Sequence, residues 1–383
     1  MSPITPSQAE KLILASARPL ELEKVMLRES LGRVLGEPLK ADRSFPPFDR
    51  VTMDGIAFKH DGRKEYALHG LHAAGSPVPG ALPEGACWQI MTGAVLPPDC
   101  DTVVPYEEVE IGEAHAKITG DATPGIFIHR EGTDAQRGDV LVAAGTQLGA
   151  AHLGLAASIG AVEIQVARRP RIVILTTGDE LVLPEATPEP HQMRQSNGLS
   201  LKAAIDGWGA AEVSLVHLAD ELEATIRGIE KAMAESDLVI LSGGISKGRK
   251  DFVLPAMGRL VGDPLFHGVL QRPGKPLAIW PGVAALPGNP NSTLTTFHRY
   301  LVPLLDAMSG ARTREVIRLP FETEIIRHPR LTVFIPCVIS AEGQLRAMVP
   351  QNSGDFITPL AATGFAEVSS GRGPATKGRY RAY

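Results

Sequence analysis

The chain is poor in cysteine, in aromatic residues and in long apolar runs. Its three cysteines, Cys87, Cys100 and Cys337, are scattered over 383 residues. No CxxC or Cys/His spacing marks a zinc site or a disulfide framework, so they read as buried or idle thiols of a reducing compartment. Aromatics make up 5% of the chain, too few for a protein built on stacking platforms for bases. The most apolar stretch, Leu153 to Val166, is shorter than a membrane span and is interrupted by Gly160 and Glu163. Met1 to Leu20 carries Glu10 and Lys11 before any apolar run and has no small-residue cleavage site, so it reads as an amphipathic helix rather than a signal peptide. A net charge of −5 gives no general attraction to nucleic acid or anionic membrane. Walker, GxGxxG and HExxH motifs are all missing, which sets aside ordinary nucleotide hydrolysis, NAD binding and zincin chemistry. These absences predict a cytoplasmic protein with neither nucleic-acid nor membrane partners.

What is present is the texture of a multidomain globular protein, with 44% hydrophobic and 21% charged residues. The first forty residues predict helix, with Ser7 as cap, Glu10 three residues on, and Ala9, Leu12, Ile13 and Leu14 opening an apolar face. From 41 to 136, short apolar runs broken by Gly and Pro, such as Thr102-Val103-Val104-Pro105, predict a β-rich insertion. Residues 137–168, with a helical pattern from Ala150 to Gly160, are expected to complete a discontinuous domain with residues 1–40. From 169 to 310 strands and helices alternate, predicting a central three-layer α/β domain with a mostly parallel sheet. There the strands fall at Arg171–Leu175, Ala211–Leu218, Asp237–Leu241, Leu277–Trp280 and Val283–Leu286. Helices follow at Asn197–Gly207, Asp220–Ala234 and Ser292–Met308. Residues 311–383 return to short β segments.

In an open α/β sheet, ligands bind beyond the carboxyl ends of the strands. Three loops at that edge carry glycines: Thr176-Thr177-Gly178-Asp179-Glu180, Ser242-Gly243-Gly244-Ile245-Ser246-Lys247-Gly248 and Pro287-Gly288-Asn289-Pro290. Each alone is a tight turn; three on one edge point to a phosphate-bearing ligand approached by backbone N–H groups. Lys247, Arg249, Lys250, Arg272 and Lys275 cluster nearby, either as a polyanion site or as a solvated face. Two prolines stiffen Arg272-Pro273-Gly274-Lys275-Pro276 around Lys275. Asp179, Glu180 and Asp251 are candidates for Mg²⁺, with helix capping the alternative for the Asp179-Glu180 pair. In the insertion, the segments ending in Met53-Asp54-Gly55 and Met91-Thr92-Gly93-Ala94 read alone as turns.

Taken in order, Met53-Asp54-Gly55, Thr92-Gly93-Ala94, Thr177-Gly178-Asp179-Glu180-Leu181, Ser196-Asn197, Ser242-Gly243-Gly244, Pro273-Gly274-Lys275-Pro276 and Leu286-Pro287-Gly288-Asn289-Pro290 resemble the molybdopterin molybdenumtransferases, a family that includes the E domain of gephyrin. The resemblance covers nearly the whole chain. It implies four domains, the last a C-terminal β-barrel-like domain, in a homodimer whose active site lies between the α/β domain of one subunit and the insertion of the other. The implied reaction takes adenylylated molybdopterin and molybdate, with Mg²⁺, to molybdenum cofactor and AMP. An adenylyltransferase and molybdoenzymes are the implied partners.

Carried over by position, the resemblance makes Asp54, Thr92, Asp134, Glu180, Asp220, Asp251 and Lys275 catalytic. It places Thr177, Gly178, Asp179, Ser242, Gly243, Gly244, Ser246, Pro287, Gly288 and Asn289 on molybdopterin or AMP. Lys275, Pro276, Ser292 and Ser353 fall to molybdate, and Glu180 and Asp251 to the metal. Some positions depart from the family pattern. Pro336 stands where an arginine is usual, Arg272 replaces a lysine, Asn291 replaces a small apolar residue, Arg50-Val51-Thr52 replaces a smaller polar stretch, and Gly132-Thr133-Asp134 replaces a glycine and two acids. Arg330 and Arg346 are the candidates to compensate for the charge that Pro336 removes. Two further readings fit these departures: a paralogue using another oxyanion such as tungstate, and a non-catalytic molybdopterin carrier.

Overall fold

The computed structural model describes residues 2–245, 251–351, 355 and 357–383. The chain divides into two compact units: Met1–Glu37, Ala144–Leu153 and Val162–Tyr383 form the larger, and Pro38–Ala143 with Gly154–Ala161 the smaller.

The amino terminus departs from the helical expectation. Helix α1 is only Pro6–Ala15, and its cap is Thr5 rather than Ser7. The Thr5 hydroxyl accepts the Gln8 N–H at 3.3 Å while the Gln8 side chain accepts the Thr5 N–H at 2.9 Å. Pro6 then opens the helix with its φ already fixed. Ala9 and Ile13 are buried, whereas Leu12 and Leu14 stay partly in solvent. Pro19 lacks the N–H that a continuing helix needs, and strand β1 (Leu22–Met26) follows. It pairs antiparallel with Glu163–Ala167, from Leu22↔Ala167 to Met26↔Glu163.

In the smaller unit, strands β2 (Gly55–Phe58), β3 (Glu65–His72), β4 (Ala86–Ile90), β5 (Thr102–Pro105), β6 (Val109–Ile111) and β7 (His115–Ile118) form a single sheet. Their order is β5-β2-β4-β3-β7-β6. Because side chains alternate across a strand, Ile56 and Phe58 pack into one cluster with Tyr66 and Val104, and Ala57 into another with Val51 and Ile90. Gly55 is dictated by space. A Cβ there would lie 2.0 Å from the Val104 carbonyl oxygen, so no other residue lets β2 and β5 approach while Asp54 sits at the strand's mouth.

In the larger unit, β8 (Arg171–Thr177), β9 (Glu212–Leu218), β10 (Leu238–Ser242), β11 (Phe266–His267), β12 (Ala278–Trp280) and β13 (Val283–Leu286) form a six-stranded sheet. The order is β9-β8-β10-β13-β12-β11. The first four strands are parallel, and β12 and β11 are antiparallel additions. Alternation again builds both faces. Ile172, Ile174, Leu238 and Ile240 pack with helix α3 (Asn197–Trp208) and the carboxyl-terminal helices. Val173, Leu175, Val239 and Leu241 pack with α4 (Leu222–Glu235) and α5 (Val253–Leu260). That is the three-layer arrangement expected. From β8 the chain crosses first to β9 on one side and then to β10 on the other, so the strand order reverses at the carboxyl ends of β8 and β10, where such sheets take ligands. At the opposite edge Arg168 grips Asp237 with two nitrogens, at 2.7 and 2.8 Å, and the Arg171 N–H adds a third bond at 2.8 Å. The Arg168 bonds hold the Asp237 carboxyl down at about 2, against its ordinary 3.8.

The closing helix is not one continuous α-helix. It runs as α6 (Pro290–Thr296), a π turn over Phe297–Leu301, and α7 (Val302–Met308). The π turn carries Arg299, which is fully buried. Its Nε donates to Glu367 at 2.9 Å, and its guanidinium meets both oxygens of Glu10 at 2.8 and 3.0 Å. Burial alone would raise the Glu10 carboxyl, but Arg299 and Arg381 bring it below its ordinary value.

Beyond α7, β14 (Ile317–Ile326), β15 (Thr332–Ile339), β16 (Leu345–Ala347), β17 (Gly364–Val368) and β18 (Pro374–Ala382) close on themselves in the order β15-β16-β14-β18-β17-β15. The result is a five-stranded barrel around Phe321, Ile335, Leu345, Ala366 and Tyr380. The three cysteines are buried as expected, and burial pushes each thiol up to about 12. Among the described residues no helix is long and apolar enough to cross a membrane.

Candidate functional site

The loops after β8, β10 and β13 meet. A Cβ on Gly243 would lie 3.2 Å from the Thr177 carbonyl oxygen, and one on Gly288 would lie 3.6 Å from the Gly243 Cα. Gly243 and Gly244 have φ of +99° and +66°, a region that glycine enters without strain. The Gly243 N–H is held by the Leu286 carbonyl at 3.3 Å. Asn197, at the start of α3, joins two of the loops: its Nδ2 donates to Ser242 Oγ at 2.9 Å and to the Gly288 carbonyl at 2.6 Å. Its Oδ1 is buried with no hydrogen-bond partner among the described residues, an arrangement that costs free energy unless a further group, a ligand or water completes it.

Around these loops lies a cleft of about 920 Å³, within the range of small-molecule sites. Thr177, Gly178, Ser242, Gly243, Gly244, Pro287, Gly288 and Asn289 line it together with Glu180, Asp220, Asp251 and Pro276. Glu180 folds back over its own turn, so that a Cβ on Gly178 would meet its carboxylate at 2.9 Å. Asp179 and Asp220 hold each other, the Asp179 N–H donating to the Asp220 carboxylate and the Asp220 N–H to that of Asp179, each at 3.1 Å. Asp179 therefore ties two loop ends together instead of capping a helix.

The donor set suits a hard cation. Glu180, Asp220 and Asp251 present carboxylate oxygens to one cleft, although the described residues hold no cluster of three acids, histidines or cysteines close enough to enclose an ion. A hard cation such as Mg²⁺ would find one or two carboxylates here and would need substrate phosphate and water to complete its shell. Ser246, Lys247, Arg249 and Lys250 lie outside the described residues, as does Ser353. Asn197 enters the sequence resemblance only within the Ser196-Asn197 motif, with no role, and Arg194 and Gln195 do not enter it; all three line the cleft.

The smaller unit makes its own constellation. Asp54 Oδ1 accepts the Thr92 N–H at 2.6 Å, and Thr92's backbone and hydroxyl hold the Asp54 carboxyl below its ordinary value. Asp134 bonds His129 Nε2 at 2.9 Å, and His129 Nδ1 lies 3.2 Å from Arg50. The segment 50–54 thus links all three predicted residues.

Comparison with known proteins gives this geometry a family. Residues 4–160 match the MoeA N-terminal region (domain I and II), and residues 173–307 match the probable molybdopterin binding domain. A molybdopterin molybdenumtransferase of Synechocystis sp. is 37% identical over 355 residues, 88% of either chain. The chain belongs to the molybdopterin molybdenumtransferase family. Gephyrin of Dictyostelium discoideum is 31% identical over 361 residues, 81% of this chain and 50% of that one. The molybdopterin biosynthesis moeA protein of Pyrococcus horikoshii superposes over 100% of both chains with a TM-score of 0.84 at 24% identity, which speaks to the fold.

The residues that the resemblance gives to molybdate do not all face this cleft. Pro276 lines the cleft, while Lys275 is exposed and not among its walls, and Ser292 is buried in the first turn of α6. Pro336 is buried in β15 opposite Phe365 and offers no donor. Of the two arginines expected to compensate, Arg346 is engaged elsewhere, its Nε and a terminal nitrogen bonded to Glu322 at 2.9 and 3.1 Å.

Proposed function

We propose that the protein is a molybdopterin molybdenumtransferase that takes adenylylated molybdopterin and molybdate to molybdenum cofactor and AMP, with Mg²⁺, in the cytoplasm. The observation that carries this reading is the convergence of three glycine loops and the carboxylates of Glu180, Asp220 and Asp251 on one cleft at the reversal point of a parallel sheet. Loop amides and the Ser242 hydroxyl receive phosphate oxygens, and Asn197 holds the loops in register for them. Glu180 and Asp251 would hold Mg²⁺, which when bound neutralises charge developing on the scissile phosphoanhydride. Lys275, Pro276, Ser292 and Ser353 serve molybdate. Positioning of this kind accounts for much of a phosphoanhydride cleavage with no covalent protein intermediate.

In this reading the protein is a homodimer, and Asp54, Thr92 and Asp134 act on the cleft of the partner subunit. It receives its adenylylated substrate from an adenylyltransferase and delivers product to molybdoenzymes. Mixed dimers test the arrangement. Asp54→Asn and Lys275→Ala homodimers should each release AMP at least about 100-fold more slowly than wild type. Mixing them should restore up to roughly half of wild-type activity per heterodimer, because one of its two sites escapes both lesions. Mixed dimers as inactive as their parents would contradict a shared site.

A further inference from the structure

A cavity of about 450 Å³ lies where helix α3, the π turn and the carboxyl-terminal barrel meet, all within the larger unit. Trp208, Val302, Val316, Tyr380 and Tyr383 wall it. Beside Trp208, helix α3 presents Ala203, Ala204 and Gly207, residues too small to close the space. The polar groups around it are mostly engaged. Arg314 bonds both oxygens of Asp306 at 2.8 and 3.2 Å, and Arg381 bonds Glu10 at 3.3 Å. Trp208 Nε1 donates to Asp306 at 2.8 Å, and the Tyr380 hydroxyl pairs with that of Thr363 at 3.0 Å. His298 is the exception. It sits in the π turn, a distortion that often marks a functional site. Its ring meets those of Phe297 and Tyr383 edge to face, with centroids 5.2 Å apart in each case. Neither of its ring nitrogens has a hydrogen-bond partner among the described residues, and neither is sealed off from the cavity that the ring lines. Burial, and after it the charge of Arg314, brings the imidazole down to about 4. At neutral pH the ring is therefore uncharged, with one N–H donor and one bare nitrogen that accepts.

An uncharged imidazole among aromatic walls, with the neighbouring cations already paired, favours an uncharged ligand over a carboxylate or an ammonium, either of which would lose its hydration here without a free partner. Water would satisfy both ring nitrogens but would leave the faces of Trp208, Val302 and Tyr383 wet. The volume equals roughly fifteen waters at about 30 Å³ each, which is room for a two-ring molecule. We propose that this cavity binds an uncharged aromatic molecule of one or two rings that carries a hydroxyl or a ring N–H. That group donates to the bare nitrogen of His298, and the rings lie against Trp208 and Tyr383. The site is separate from the cleft between the glycine loops. Asn197, at the start of α3, lines the cleft, and Trp208, at its other end, lines this cavity. The 12 residues between those ends span roughly 18 Å at about 1.5 Å each. Occupancy does not depend on whether the protein transfers molybdenum.

The probe is 2-naphthol, with naphthalene and 2-naphthoate as controls, titrated into the full-length protein and followed by naphthyl fluorescence. 2-Naphthol should bind at one site per chain and at least about fivefold more tightly than naphthalene, the worth of one hydrogen bond between uncharged groups. It should also bind more tightly than 2-naphthoate, whose charge would be stripped of water beside arginines already engaged. His298→Phe keeps an aromatic ring and removes both nitrogens, so it should bring 2-naphthol down to the affinity of naphthalene and leave naphthalene unchanged. Ala203→Phe, at an exposed position of α3, fills the cavity without touching the core and should weaken both compounds at least about fivefold. The two substitutions lie on different elements, so a folding defect in one leaves the other to decide. Naphthalene binding as tightly as 2-naphthol would mean an apolar crevice without polar selection. 2-Naphthoate binding more tightly than 2-naphthol would mean an anion site. Unchanged 2-naphthol affinity in either folded variant would place the compound elsewhere. Any of these results, or no binding of 2-naphthol, overturns the assignment.

Discussion

Arg299→Met is expected to destabilise the protein by about 3–5 kcal/mol, because it leaves two carboxylates in the interior with their principal partner gone. Arg299 is held by Glu367 in the barrel and by Glu10 in the first helix. Glu367 is itself 7% exposed, and its other cations are Arg379, at 4.0 Å and so at the limit of an ion pair, and Arg381, which acts on it only through space. Among the described residues neither Arg379 nor Arg381 makes the close hydrogen bond to Glu367 that Arg299 supplies. The cost belongs to the stranded charges and not to a large net worth of the ion pair. The triple variant Glu10→Gln, Arg299→Met, Glu367→Gln should accordingly recover most of the loss. Urea midpoints of the single and triple variants measure both statements. A single variant within about 1 kcal/mol of wild type, or a triple no better than the single, would contradict them.

The second large effect is on chemistry. Glu180→Gln and Asp251→Asn should each lower turnover by roughly 10²–10³-fold, the usual cost of removing one preorganised group from a charge-developing transition state. Both side chains line the cleft, and Glu180 is exposed, so neither change removes core packing and the denaturation midpoint should move little. If these carboxylates hold Mg²⁺, the variants will also need more of the ion to reach half their maximal rate. Loss of turnover with an unchanged Mg²⁺ requirement would assign them another role, and turnover within about threefold of wild type would remove them from the site.

How much of this was legible in the sequence depended on whether a local pattern sufficed. The α/β sheet was readable because Arg171–Leu175 and Asp237–Leu241 are continuous apolar runs separated by helical spacings, and a parallel sheet buried on both faces demands such runs. The edge carrying the three glycine loops followed from that, since strand direction fixes which loops share an edge. The resemblance assigned roles along it. The amino terminus was misread because the apolar residues after Ser7 look helical for longer than they are. Thr5, not Ser7, closes the capping box, and Pro19 ends what the pattern would continue. The break in the closing helix left one signal that was passed over: Pro303, inside the run read as a single helix, has no N–H to give the carbonyl of Arg299 four residues back. Its π turn carries Arg299 between the carboxylates of Glu10 and Glu367, residues 289 and 68 positions away. An arginine in a helical stretch reads as surface until its partners are known. The role of Asn197, which the sequence offered only as part of a motif, was hidden for the same reason, because it acts by bonding Ser242 and Gly288, whose nearness only the fold creates.

The central claim is that the cleft between the glycine loops transfers molybdenum to a pterin while releasing AMP. The most direct measurement is a single turnover of the purified protein with adenylylated molybdopterin, Mg²⁺ and molybdate, following both AMP release and activation of a cofactor-free molybdoenzyme. The account predicts AMP release that requires molybdate and Mg²⁺, with activation appearing at the same rate. Tight pterin binding with neither AMP release nor activation would contradict it and leave a carrier.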